Sequence, residues 1–256
     1  MNLPAGARSD VHSSRVILPV QCLHRLFFAR PRHHLLSAMT PRRLLRLFVL
    51  QLALVPLLAW AQQPPGAAPV EGRDYVVIPG GERWSSADDR IEVAELFAYT
   101  CHHCADFEPR LQAWKRSQPG DVRVSYVPAA FEATDNYARA CFAAEQLGVL
   151  DRVHAPLFRA IHQAQTVPMS NASVDELAVF FRDEGVDAAR FKVAMASPEV
   201  DARMRRARDF AIASGLRGTP TLVVAGKYRV QASSHEQALR IATALVAMER
   251  AARGRP

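Results

Sequence analysis

The chain has 256 residues and a formal net charge of +7, but residues 1–61 hold eight arginines and one acid, Asp10. The remaining 195 residues balance at 24 basic and 24 acidic, which removes the high isoelectric point as an argument for a nucleic-acid partner. That body is long enough for one good core, and its three cysteines, Cys101, Cys104 and Cys141, exclude a disulfide framework.

The first 61 residues read as processing sequence. Met39-Thr-Pro-Arg-Arg-Leu-Leu-Arg46 is a short basic run, Leu47 to Leu58 is apolar apart from Gln51, and Ala59-Trp60-Ala61 is a small-x-small cleavage site. In that order they make a secretory signal peptide over 39–61, with an uncleaved N-terminal anchor as the alternative. The apolar run is short of the roughly 20 residues a membrane span needs. Residues 1–38 precede a good start methionine and read as an over-called gene start.

Residues 62–73 are rich in Pro, Gly and Ala and are expected to form a flexible start. Tyr75 to Ile78 is a short strand, stopped by Pro79-Gly80-Gly81. Ile91 to Tyr99 is a second strand, apolar on both faces, as in a central strand covered on two sides. Glu95 then places a carboxyl on a buried face, where it must be largely protonated or have a function.

Cys101-His102-His103-Cys104 follows directly and opens an amphipathic helix. Two cysteines three positions apart at a helix start share one face. Cys101, in the first turn, has free backbone N–H groups and the positive dipole end nearby, which favour the reactive thiolate. A zinc site needs two further ligands at matched spacing, and only Cys22 and Cys141 remain. Covalent haem needs His directly after the second cysteine, where Ala105 stands. A structural disulfide over two residues is the strained, labile kind. The strand–CxxC–helix context favours redox chemistry.

The helix buries Phe107, Leu111 and Trp114, carries Pro109, expected to interrupt and kink it, and ends at Pro119-Gly120. Val122 to Val127 is the third strand, closing a βαβ unit. Residues 135–216 read as helices: Tyr137–Leu147, Asp151–Gln163, one capped by the box Ser173–Glu176, one opened by Asp187, and one led by Ser197-Pro198. Cys141 is expected to be a buried helix cysteine, and Met195, Met204 and Phe210 to be core. His154, His162 and His235 are expected at the surface. Residues 219–230 read as two strands around a turn at Ala225-Gly226, and a last helix is expected to start at the capping box Ser233–Glu236.

With these residues in place the chain resembles the thioredoxin superfamily, and within it the DsbA family of periplasmic thiol oxidases, over roughly residues 74–250. Val93 to Cys104 looks like the family's active-site strand and helix start. Gly218-Thr219-Pro220 and the following hairpin look like its cis-proline loop, and Pro109 matches the superfamily's helix proline. The resemblance implies an α/β thioredoxin-like fold at 74–134 and 217–251, with a helical domain, 135–216, inserted between the βαβ half and the C-terminal ββα half. It implies that the Cys101–Cys104 disulfide is the redox group, with no cofactor and no metal. It implies His103 as a thiolate-stabilising residue, Glu95 as the acid beneath Cys104, and His102, Gly218, Thr219 and Pro220, in cis, as substrate-binding. It further implies unfolded exported proteins with free cysteines as substrates, a quinone-linked membrane oxidase of the DsbB type for re-oxidation, a periplasmic location after cleavage near Ala61, and a monomer with no nucleic-acid partner.

Two residues depart from the family's commonest pattern. His102 stands where Pro is usual, and Thr219 is found across the wider family, isomerases included. Rival readings are a disulfide isomerase or reductase, for whose usual N-terminal dimerisation domain residues 62–74 leave no room; a peptide-binding chaperone with an incidental CxxC; and a glutathione-using isomerase or transferase. The last commonly has Ser in place of the cysteine pair, so Cys104 argues against it.

Overall fold

The structure, a computed structural model, describes residues 68–85, 88–170 and 172–254; the expected extension and signal peptide lie outside the described residues. Among the described residues no helix is long and apolar enough to cross a membrane.

Five strands form one sheet: β1 (Tyr75–Val77), β2 (Ile91–Phe97), β3 (Val122–Pro128), β4 (Thr221–Val224) and β5 (Tyr228–Val230), in the order β1-β5-β4-β2-β3. Only β2 and β3 run parallel; the other neighbours are antiparallel. All seven residues of β2 are buried, so its two apolar faces are covered as their composition requires. The β4–β5 turn puts Ala225 and Gly226 both at positive φ, the left-handed conformation of a type I′ hairpin.

Between β2 and β3 runs α1 (His102–Ser117), with Cys101 as its N-cap and Phe107, Leu111 and Trp114 on its buried face. The helix continues through Pro109 where the sequence suggested an interruption. Between β3 and β4 lie α2 (Asn136–Gln146), α3 (Leu150–His162), α4 (Val174–Asp183), α5 (Ala188–Met195) and α6 (Pro198–Ala213); α7 (His235–Arg253) closes the chain. Local chemistry starts these helices. Asp135 accepts from the N–H groups of Tyr137 and Ala138, Ser173 and Glu176 cap each other reciprocally, and Ser197 caps α6 with Pro198 in its first turn.

Three expectations need correction. The cap of α7 is Ser234, whose hydroxyl accepts from Gln237 N–H, while Glu236 pairs with Arg110 at 2.9 Å; adjacent serines offered two possible caps. Residues 70–74 form a turn held by Asp74, which accepts from the Val70 N–H at 2.8 Å. His154, expected at the surface, is fully buried, and His162 and His235 are partly buried. The reason for His154 is its place on α3, in line with the buried Val153, Leu157, Phe158 and Ile161. An aromatic cluster of Phe97, Tyr99, Tyr126, His154 and Phe158 then ties the inserted helices to β2 and β3. Cys141, Met195 and Met204 are core, as expected.

Candidate active site

The end of β2 delivers Cys101 to the start of α1. The Cys101 N–H donates to Ala98 O at 3.1 Å, and the Cys101 carbonyl accepts from Cys104 and Ala105 N–H, so the turn between the cysteines is fixed by backbone bonds. Cys101 is partly exposed, Cys104 is wholly buried, and both are free thiols.

The two thiols are pushed in opposite directions. Partial burial alone would raise the Cys101 pKa, but it is outweighed. Hydrogen bonds from the Thr219 side chain, from Cys104 and from the His103 backbone N–H hold the thiol below its ordinary value. The Thr219 carbonyl, 3.4 Å from Cys101 Sγ, can only accept, so it favours the thiol form and works against these donors. What His103 adds to this set is its backbone N–H. For Cys104, burial and the charge of Glu95 push the thiol far up.

Glu95 is 1% exposed, and burial together with the nearby Glu108 carboxyl raises its pKa well above the carboxylate range. Its Oε2 has no hydrogen-bond partner, and the same holds for Glu108 Oε2 and His154 Nε2. These three buried side chains have potential ligand atoms within 4.8 Å of one another. His154 Nε2 lies 3.6 Å from Glu108 Oε2, an ion-pair distance. Burial nevertheless pushes His154 down to about 3 and Glu108 up, opposite to what an ion pair does, so the contact is neutral. To hold a divalent cation, the trio would first have to ionise both carboxyls. As it stands, two carboxyls whose burial favours the protonated form lie beside a neutral imidazole, an arrangement suited to sharing protons. The chain of contacts continues from His154 Nδ1 to the Tyr99 hydroxyl at 2.7 Å, while the Tyr99 carbonyl meets His162 Nε2 at 2.6 Å.

Of the residues singled out from sequence, Cys101, Cys104, Glu95 and Thr219 converge here. Gly218, Thr219, Pro220 and His103 line a groove of about 480 Å³ beside them, and the Thr219–Pro220 bond is cis. His102 is exposed, with its ring 3.9 Å from that of His103, and is not part of the groove lining. Sequence reasoning missed Glu108, His154 and Tyr99. For the first two the signal existed: Glu108 falls on the Cys104–Leu111 stripe of α1, and His154 falls on the apolar stripe of α3. A larger cavity, about 640 Å³, opens along β3 and contains none of these residues.

A family model described as a DSBA-like thioredoxin domain matches residues 92–243. The thiol:disulfide interchange protein DsbA of Azotobacter vinelandii is 36% identical over 208 residues, covering 78% of this chain and 95% of its own. The protein of that name from Pseudomonas aeruginosa is 35% identical over 185 residues, covering 71% and 86%. Among solved structures, oxidoreductase DsbA from Xylella fastidiosa aligns with a TM-score of 0.69 at 46% identity, covering 72% of this chain and 100% of that one.

Proposed function

The chain belongs to the DSBA-like thioredoxin family and is a thiol:disulfide oxidoreductase, and from that premise we propose that it donates a Cys101–Cys104 disulfide to exported proteins, with Cys101 as the sulfur that substrates meet. The supporting observation is the asymmetry of the pair: a partly exposed thiol at a helix N-cap, held low, beside a buried thiol held high.

Each step follows from that asymmetry. A substrate thiolate attacks Sγ of Cys101 in the oxidised enzyme. The Cys101–Cys104 bond breaks, a mixed disulfide forms, and Cys104 leaves with the electron pair. Buried and strongly raised, Cys104 takes a proton at once, and Glu95, which acts on Cys104 and whose own carboxyl burial biases toward the protonated form, supplies it. A second substrate thiolate then attacks the substrate sulfur of the mixed disulfide, and Cys101 departs as a thiolate. A lowered pKa makes it a good leaving group. In total the substrate loses two electrons to the cysteine pair and two protons to solvent; Glu95 recovers from solvent the proton it gave Cys104, and Cys101 remains a thiolate. The Thr219 carbonyl, facing Cys101, is available to pair with the backbone of an extended substrate segment.

The same reading assigns the protein to the periplasm, with unfolded exported proteins as substrates, and a DsbB-type quinone-linked membrane oxidase as the acceptor that restores the disulfide. The working redox group is then the chain's own cysteine pair, without a bound cofactor. Trapping tests it. Cys104→Ala should accumulate mixed disulfides through Cys101, because the buried thiol that reverses the first step is gone, and Cys101→Ala should accumulate almost none. Equal trapping by both variants would refute Cys101 as the attacked sulfur.

A further inference from the structure

The groove beside Cys101 carries charge that no acidic side chain among the described residues pairs with. Arg217 and Arg229 both line it, and among the described residues neither side chain has a hydrogen bond or ion pair. They lie close together. A Cβ placed on Gly215 would be 3.8 Å from Arg229 Nε, and Arg217 is only two residues further along. Burial first, and then the charge of Arg217, make the Arg229 proton easier to lose. Among the described residues no Asp or Glu lines the groove. Four of the five cations lining the larger cavity contrast with this. Arg90 and Arg123 pair with Asp88, Lys115 with Asp151 and Arg203 with Glu145. Phe107 and His235, ring centroids 5.0 Å apart, also line the groove.

We propose that Arg217 and Arg229 form a recognition site for a carboxylate on the substrate, so that the enzyme prefers cysteines with an Asp or Glu nearby in an extended segment. This rests on the reading of Cys101 as the attacked sulfur. The register follows from the chain. Arg217 is two residues before Thr219, whose carbonyl faces Cys101 Sγ. Residues 218–220 bend back toward β4, so Arg217 stays near the Thr219 carbonyl, and a side chain within a few positions of the reacting cysteine of an extended substrate, at about 3.3 Å per residue, is within its reach. An acidic side chain there gives the two guanidinium groups the partner they lack, and a lysine adds a third positive charge.

The experiment uses the oxidised protein and three peptides, each with two cysteines and with Glu, Gln or Lys two residues from the first. Their oxidation rates are measured at low and high salt, with dithiothreitol as an uncharged substrate. The Glu peptide should react faster than the Lys peptide by about fivefold or more at low salt, the scale of one or two exposed charge pairs, and the ratio should shrink as salt is added. The ratio read within Arg217→Ala/Arg229→Ala should fall to about one, and within Arg217→Glu/Arg229→Glu it should invert. If wild-type protein oxidises dithiothreitol and the three peptides at rates independent of charge, the carboxylate site is refuted while the oxidoreductase reading stands. If dithiothreitol is not oxidised at all, both fail.

Discussion

Replacing His154 with Phe tests whether the floor of the active site is neutral. His154 is fully buried among Phe97, Tyr99, Tyr126 and Phe158, and its pKa is pushed down from 6.5 to about 3, by burial first and then by the charge of Lys115. A group whose folded pKa is depressed binds fewer protons folded than unfolded. For this base the unfolded chain takes up a proton as pH falls below 6.5 and the folded chain does not, so stability is lost between pH 6.5 and about 3. At 1.36 kcal/mol per unit, the loss between pH 7 and pH 4 is about 3 kcal/mol. Phe cannot titrate, so the variant escapes this loss. It does leave the Tyr99 hydroxyl without its 2.7 Å partner, a cost of about 1–2 kcal/mol that does not depend on pH in this range.

The variant should therefore be less stable than wild type at pH 7 by about 1–2 kcal/mol and more stable than wild type by a similar amount at pH 4. Glu95 and Glu108, raised by burial, act in the opposite sense: their folded forms keep protons that the unfolded chain releases above 4.5, so they cost stability as pH rises. They remain in both proteins, and the difference between the two stabilities isolates His154. The assay is denaturant unfolding of the reduced proteins at four pH values from 4 to 7. A difference that stays constant with pH would show that His154 does not titrate as a buried neutral base. A variant that falls further behind as pH drops would mean a charged His154–Glu108 pair, and would refute the neutral, proton-sharing floor.

Two further outcomes are expected. Glu95→Gln keeps the size of the side chain but cannot pass a proton, so exchange through buried Cys104 should slow by about tenfold or more, measured as the rate of disulfide transfer to a dithiol. The same variant should be more stable than wild type at pH 7 and above, because it removes a carboxyl whose raised pKa costs stability as pH rises; unchanged transfer rates would remove Glu95 from the proton path. Gly226→Ala lies far from the thiols in sequence, and its Cβ would run into the backbone of Glu82 and Arg83 at a left-handed φ of 69°. It should lower stability by more than about 2 kcal/mol in thermal melts, and a melt within error of wild type would contradict that close approach.

Much of this architecture was legible because each element carries its own local signal. The β2 strand is apolar on both faces, α1 begins at the cysteine pair, and the capping residues Ser173, Asp187 and Ser197 mark helix starts by chemistry that needs no tertiary partner. What was not legible depends on contacts between distant segments. Ser233 and Ser234 are equally good caps until Arg110, 126 residues away from Glu236 in sequence, takes that carboxylate. His154 is expected at the surface and Glu108 is not singled out, and only the packing of α3 on α1, with His154 against Tyr126 of β3, turns them into a buried pair near Glu95. The free charge of Arg217 and Arg229 is likewise invisible in sequence, since the overall balance of acids and bases gives no hint of which arginines lack partners.

The central claim is that one thiol of the pair is poised to react and the other is held back. Thiolate absorbance against pH, recorded for the reduced wild type and for Cys104→Ser and Cys101→Ser, tests it most directly. Wild type and Cys104→Ser should share one transition below the ordinary thiol value of about 8.5, and Cys101→Ser should show none in the neutral range. Two thiols titrating together near 8.5, or a transition that survives loss of Cys101, would contradict the account.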